Sequence, residues 1–268
     1  MEVQESGFQL TDAGPGMYER YMVPIHCENR ARNLLDRVHL QPREHVLDVA
    51  CGSGIVARLA ARRMGGLGKV VGVELNPAML DVARHVTAYT ESVEYLEGDA
   101  ANLPVSDASF DCVLCQLAIM FFPDREASVR EMYRASKPGG RVAVSVFRSV
   151  EFNPAFKHLV DALERHGGPA AAEFMRSPFI MESVSQMRGL FEQAGFTDIH
   201  VTNRIETLRY PSVAHFVRYE TLNIADPKLH TRETQKALVV EMNTLVAAYV
   251  DDDGVVFPAQ DYVVVARR

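Results

Sequence analysis

Val46-Leu47-Asp48-Val49-Ala50-Cys51-Gly52-Ser53-Gly54 decides how the rest of the chain is read. Its apolar run ends in a turn of small residues. Ile55, Val56, Leu59, Ala60 and Met64 then recur at helical spacing, with Arg58, Arg62 and Arg63 opposite and Gly65-Gly66 to close the helix. A buried strand, a tight loop and a helix N-terminus follow from that pattern. Unpaired backbone N–H groups gather at such a terminus, and small residues let a ligand approach them closely. A nucleotide-like ligand is the expectation.

Downstream, Lys69–Glu74 reads as a second buried strand ending in an acid, and Asn76-Pro77 opens a helix carrying Met79, Leu80, Val82 and Ala83. Strands follow at 93–96, before Gly98-Asp99-Ala100, and at 112–117. Pro123-Asp124 offers an N-cap for a helix to about Ser136, Lys137-Pro138-Gly139-Gly140 reads as a turn, and 141–147 as a fifth strand. Strands alternating with helices predict a parallel α/β sheet covered on both faces. Upstream, 1–16 reads as a polar arm and 17–40 as a helix interrupted by Pro24. Beyond the fifth strand the alternation breaks. Residues 149–181 are helical in pieces around Gly167-Gly168-Pro169, and Ser183-x-x-Gln186 is a capping box whose helix stops at Gly195. A strand at 199–208, helices within 212–249 and a last strand at 262–266 complete the chain.

The division expected is a helical N-terminal arm or cap at 1–44, a cofactor-binding core at 45–148, a helical lid insertion at 149–182, and a C-terminal part of the core at 183–268 carrying a helical insertion at 212–249. With 268 residues, 47% hydrophobic and 24% charged, the chain has the makeup of an ordinary globular protein. A net charge of −7 argues against a broad basic surface for nucleic acid or acidic lipid. No apolar stretch is long enough to span a bilayer, and Met1-Glu2-Val3-Gln4-Glu5 lacks the start of a signal peptide, so a cytoplasmic enzyme is expected. Cys112-Val113-Leu114-Cys115 lies within a strand, where residues three apart face opposite sides; buried thiols are expected there, and no metal site. Asp251-Asp252-Asp253-Gly254 fails the calcium-loop pattern, because the twelfth position is Gln260, and reads as a solvated turn.

Three acids carry the chemistry. Asp48 lies in the first strand, Glu74 ends the second and Asp99 follows the third, so a parallel sheet lines them along one edge. A carboxylate at Glu74 suits the two hydroxyls of a ribose, and one at Asp99 suits the amine of adenine. Gly52-x-Gly54-x-x-Ala57, with Glu74 twenty residues on, also satisfies the dinucleotide pattern. An NAD-dependent dehydrogenase is therefore a competing reading, opposed by the acid inside the first strand and by the second acid at Asp99.

The stretches VLDVACGSG (46–54), GVELNPAMLDVAR (72–84), EGDAANLP (97–104), SFDCVLCQLAIMFFPD (109–124) and KPGGRVAVS (137–145) resemble the S-adenosylmethionine-dependent methyltransferases of the Rossmann-like class. The resemblance is to the ubiquinone/menaquinone-biosynthesis branch, with Ala50 standing where the family often has glycine. It implies a doubly wound, seven-stranded, mostly parallel sheet with an antiparallel last strand, a helical N-terminal cap and helical insertions. It also implies S-adenosylmethionine as cofactor and S-adenosylhomocysteine as product. The loop Ala50, Cys51, Gly52 and Gly54 would cradle the methionine half with Asp48. Glu74 would hold the ribose, Leu75 and Met79 would line the adenine, and Asp99 with the Ala100 N–H would read its edge. Gln116 and Leu117 would lie between cofactor and acceptor.

In the family the N-terminal helix folds over the cofactor. That makes Tyr21 a candidate for the cofactor carboxylate, and Tyr18 and His26 catalytic candidates. Met120, Phe121 and Phe122 are candidates for an apolar floor; His158, His166 and His215 read as exposed. The apolar, aromatic content of 149–181 and 212–249 points to a small apolar or aromatic acceptor, not nucleic acid or membrane. A cofactor-binding protein without methyl transfer, pericyclase-like or regulatory, is the second reading. A homodimer stays open.

Overall fold

A computed structural model describes residues 14–87, 92–181 and 183–268. The first thirteen residues of the expected N-terminal arm lie outside the described residues. From the N-terminus, α1 (Gly14–Met17) runs into a π-helix (Tyr18–Cys27) and then α2 (Glu28–Val38). The expected helix is thus present, but Pro24 sits inside its π-helical part. Proline cannot donate a hydrogen bond along the helix, so the wider-wound turn falls where the sequence shows an interruption.

The core alternates as the pattern requires: β1 (His45–Val49), α3 (Ile55–Arg63), β2 (Lys69–Glu74), α4 (Pro77–Val86), β3 (Val93–Glu97), β4 (Phe110–Gln116), α5 (Arg125–Ala135) and β5 (Ser136–Phe147). Asn76 accepts from the Ala78 N–H at 2.9 Å and Asp124 from the Ala127 N–H at 2.8 Å, so two helices start where the sequence places caps. Lys137-Pro138-Gly139-Gly140 does not precede β5 but lies within it. Ser136 pairs with Phe110 and Arg141 with Cys112, so the four residues bulge out of the ladder, with Gly139 at φ +77°. Further on come α6 (Pro154–His166), α7 (Pro169–Arg176), α8 (Val184–Ala194), β6 (Thr197–Tyr210), α9 (Val213–Thr221), α10 (Arg232–Leu245), β7 (Val250–Asp251) and β8 (Gly254–Arg267).

Among the described residues the sheet order is β3-β2-β1-β4-β5-β8-β6, and the eighth strand is the two-residue β7 paired with β8. Strands β3, β2, β1, β4 and β5 are mutually parallel. Gly139 N–H donates to the Arg268 carbonyl and Arg268 N–H to the Gly140 carbonyl, both at 3.0 Å, which joins the start of β5 to the end of β8. The last strand is therefore antiparallel, and it sits between β5 and β6. It is longer than the expected 262–266, running from Gly254 through Pro258 to Arg267.

Two compact units are present. The first holds the residues through Val146 with Ser183–Asn203 and Tyr262–Arg268, and the second holds Phe147–Glu182 and Arg204–Asp261. In the first, Leu34, Leu35 and Val38 of α2 pack with Leu59 and Met64 against Val46, Val70 and Leu114 of the sheet. The second has an aromatic core in which Phe156 meets Phe216 at 5.6 Å and Phe257 at 5.8 Å, with Tyr210 stacked on Phe257. Within it Tyr210 donates to Glu220 at 2.8 Å, His166 pairs with Glu241, and His215 pairs with Ser212. The Asp251 to Gly254 stretch is a hairpin turn, whose Asp251 takes both guanidinium arms of Arg209 at 2.8 Å.

Candidate functional site

Parallel pairing brings the C-terminal strand ends together: Asp48 is in register with Gly72, and Glu74 with Glu97. The chain leaving β1 is held by the Cys51 N–H on the Val73 carbonyl (3.0 Å) and closed by the Gly54 N–H on the Cys51 carbonyl (2.8 Å). Gly52 and Gly54 stand at φ +56° and +85°, where an L side chain is strained. A methyl group on Gly54 would also lie 2.9 Å from Cζ of Tyr95, so the two glycines serve different needs. At Gly54 the constraint is packing beneath the loop. At Gly52 it is the open face above.

Ala50 is left-handed as well, at φ +55°. For a residue with a Cβ this costs roughly 1–2 kcal/mol, while the extra freedom glycine brings to the unfolded chain offsets about 0.4–1 kcal/mol. Ala50→Gly should therefore raise stability by about 0.5–1 kcal/mol, read as a higher urea midpoint at unchanged slope; a lower midpoint would show that the Ala50 methyl makes packing contacts worth more than the strain.

Tyr18, Cys27, Asp48, Ala50, Cys51, Gly52, Ser53, Glu74, Leu75, Asn76, Met79, Gly98, Asp99, Ala100, Gln116, Leu117, Phe121 and Phe122 line one cavity of the first unit. Asp48, Glu74 and Asp99 thus meet in one place. Tyr21, His26 and Gly54 are not among the lining residues. Tyr21 is half-buried with the Arg20 guanidinium over its ring at 5.2 Å, and His26 is buried elsewhere in the π-helix. Helical winding turns their side chains away from the face that carries Tyr18 and Cys27. Phe121 and Phe122 reach the cavity, whereas Met120 is buried outside it. Sequence reasoning passed over Cys27 and Asn76; the signal for Asn76 was its place directly after the strand-ending acid.

Glu74 organises the loop. One carboxylate oxygen accepts from the Gly52 N–H and the other from the Asn76 N–H, each at 2.9 Å. Burial raises its pKa against the lowering effect of these bonds. Asp48 is 1% exposed and accepts from the Ala57 N–H at 3.0 Å. Burial, with a smaller push from Glu74, moves its pKa up to about 8. Tyr18 and Cys27 face each other, hydroxyl to sulfur, at 3.2 Å. Burial lifts the Tyr18 hydroxyl well above its ordinary value and the Cys27 thiol to about 11, so both hold their protons at neutral pH. Cys112 and Cys115 are fully buried within β4.

The arrangement suits an adenosine bearing a cationic amino acid. A Cβ on Gly52 would point at Met79 Cε (3.3 Å) and Tyr18 (4.0 Å), so only glycine leaves the loop open to the cavity. Gln116 donates its Nε2 to the Cys27 carbonyl at 3.1 Å, which fixes the amide orientation because a carbonyl only accepts. Its Oε1 is left buried and without a hydrogen-bond partner among the described residues, an acceptor waiting for a donor.

The family described as "Methyltransferase domain" matches residues 47–144, the span from β1 into β5. The ubiquinone/menaquinone biosynthesis C-methyltransferase UbiE of Legionella pneumophila (strain Paris) is 30% identical over 186 residues, 64% of this chain and 74% of that protein. A demethylmenaquinone methyltransferase of Staphylococcus epidermidis is 29% identical over 181 residues, 63% of this chain and 75% of that one. In fold, the chain is similar to Haemonchus contortus phosphoethanolamine N-methyltransferase 2 in complex with S-adenosyl-L-methionine, with a TM-score of 0.62, 24% identity, and coverage of 96% of this chain and 57% of that one. On the family match and on this identity to relatives covered over about three quarters of their length, the chain belongs to the S-adenosylmethionine-dependent methyltransferases, in the branch that holds the ubiquinone and menaquinone biosynthesis enzymes.

Proposed function

We propose that this enzyme methylates a small apolar or aromatic metabolite, and that the residues meeting at the C-terminal strand ends hold its cofactor. The observation that carries the reading is Glu74, half-buried and fastened by two backbone N–H groups in the wall of a glycine-opened cavity. Asp48 and the loop Ala50, Cys51 and Gly52 would hold the methionine half, Glu74 the ribose, and Leu75 and Met79 the adenine faces. Asp99 and the Ala100 N–H would take the adenine edge. When bound, the cofactor supplies a methyl carbon already activated by its sulfonium, so the protein's work is alignment and exclusion of water.

Phe121, Phe122, Pro123 and Ala118 give that cavity an apolar wall, which supports an apolar or aromatic acceptor. Neither Tyr18 nor Cys27 is a resting base, since each keeps its proton at neutral pH. Tyr18 is better suited to orient an acceptor through its hydroxyl than to deprotonate it. His26, absent from the cavity wall, is not retained as a base. The relatives' names make quinol-like phenolic carbons a first class of acceptor to test. The chain's net charge of −7 supports a metabolite over nucleic acid, and we place the reaction in the cytoplasm. No helix among the described residues is long and apolar enough to cross a membrane.

The test is incubation with S-adenosylmethionine and a panel of quinols, phenols and aromatic amines, followed by quantification of S-adenosylhomocysteine and methylated product. Acceptor-dependent formation of both in equal amounts is expected. Tight cofactor binding with no product across the panel would favour a protein that uses the site without transferring the methyl group.

A further inference from the structure

Arg58 is the fourth residue of α3 and is 5% exposed, an unusual place for a cation. It is spent on two partners from different parts of the chain. Nη1 donates to the Ser53 carbonyl, inside the cofactor loop, and Nη2 donates to Glu19 Oε1 at 2.8 Å, on the N-terminal π-helix. The Arg58 side chain is 6% exposed and that of Glu19 20%, so the pair is far less screened than a surface ion pair. The second carboxylate oxygen of Glu19 is buried without a hydrogen-bond partner among the described residues. That oxygen depends on Arg58 for its compensation.

The two ends of this bridge are also two walls of the same cavity. Ser53 is a lining residue, and Tyr18, adjacent to Glu19, lines the cavity opposite Gly52. At its far end the π-helix is tied a second time, by the Cys27 carbonyl to Gln116 of β4. A helix with proline inside and the poorer hydrogen bonding of a π-turn has little stability of its own, so its position depends on these ties.

We propose that Arg58 is a positioning residue for the cofactor: through Glu19 and the Ser53 carbonyl it locks the Tyr18-bearing helix to the glycine loop and so sets cofactor affinity. The proposal rests on the cavity being the cofactor site. Lysine cannot replace the arginine, because a single ammonium lacks the rigid fork that reaches two separate partners at once.

The experiment measures S-adenosylhomocysteine affinity by calorimetry, hydrogen exchange of residues 18–27, thermal stability, and the split between KM and kcat for wild type, Glu19→Ala, Glu19→Gln, Arg58→Lys and the double variant Glu19→Ala/Arg58→Lys. Glu19→Ala is expected to raise the dissociation constant and the KM for S-adenosylmethionine about tenfold, with kcat at saturating cofactor within about threefold, and to speed exchange in 18–27. Glu19→Gln, which keeps the hydrogen bond, should recover most of the loss. The double variant should be no worse than the more impaired single one, since both cut the same bridge. A wild-type chain that binds no S-adenosylhomocysteine would sink the site itself. A wild type that binds, beside a Glu19→Ala variant with unchanged affinity and unchanged exchange, would overturn only the bridge. Lower thermal stability with unaltered KM would likewise reduce Arg58 to a structural role, and Glu19→Ala answers the question even if the Arg58 variant does not fold.

Discussion

Glu74→Ala should weaken S-adenosylhomocysteine binding by about 100-fold or more, since two charge-assisted hydrogen bonds of roughly 1.5–3 kcal/mol each are lost together. The carboxylate does two jobs. Inward, it accepts from Gly52 and Asn76 and so fixes the glycine loop relative to α4. Toward the cavity, its remaining lone pairs would take the ribose hydroxyls. The nearly isosteric Glu74→Gln should fail almost as badly, because an amide has only one accepting atom and would turn its NH2 toward a backbone N–H. Calorimetry with S-adenosylhomocysteine reads both variants. A glutamine variant that binds within threefold of wild type would show that charge and double acceptance at this position are dispensable.

Cofactor affinity should climb with pH up to about 8, the value to which burial pushes the Asp48 carboxyl. In the free protein below that pH, Asp48 is protonated. A cationic ligand favours the ionised form, so binding releases a proton and the dissociation constant should fall by up to about tenfold per pH unit between 6 and 8. The ligand's own amino group, near about 8, titrates in the same range. Asp48→Asn is the control, since it removes the protein's share of the slope and keeps the ligand's. Calorimetry in two buffers of different ionisation enthalpy counts the released proton, and an equal slope in both proteins would refute the role of Asp48. Stability should move the other way. Unfolded aspartate ionises near about 3.9, so from there to about 8 the native chain holds a proton that the unfolded chain has shed, and stability falls as pH rises across that window. Glu74, raised for the same reason, adds in the same sense.

β1, β2 and the start of α4 were legible because local signals agree there: apolar runs of strand length, a proline at a helix start and an asparagine able to cap it. Lys137 to Gly140 misled for an instructive reason. A turn signal says that the chain bends, not whether it leaves the sheet, and here the ladder resumes with the same partner strand. Tyr18 and His26 were indistinguishable by sequence, as both lie on a helix expected to cover the cofactor. The folded chain separates them, since Tyr18 lines the cavity and His26 does not.

Sequence alone determined the order of strands and helices, the glycine turn and the three acids at successive strand ends, because hydrophobic period and turn chemistry are local and a parallel sheet leaves one way to align those ends. Only the tertiary structure decided which groups share a pocket and in what protonation state. The raised pKa of Asp48, the committed amide of Gln116 and the bridge from Glu19 through Arg58 to Ser53 all arise from burial and from partners distant in the chain. Desolvation and through-space contact are properties of the packed molecule, and no spacing within the sequence encodes them.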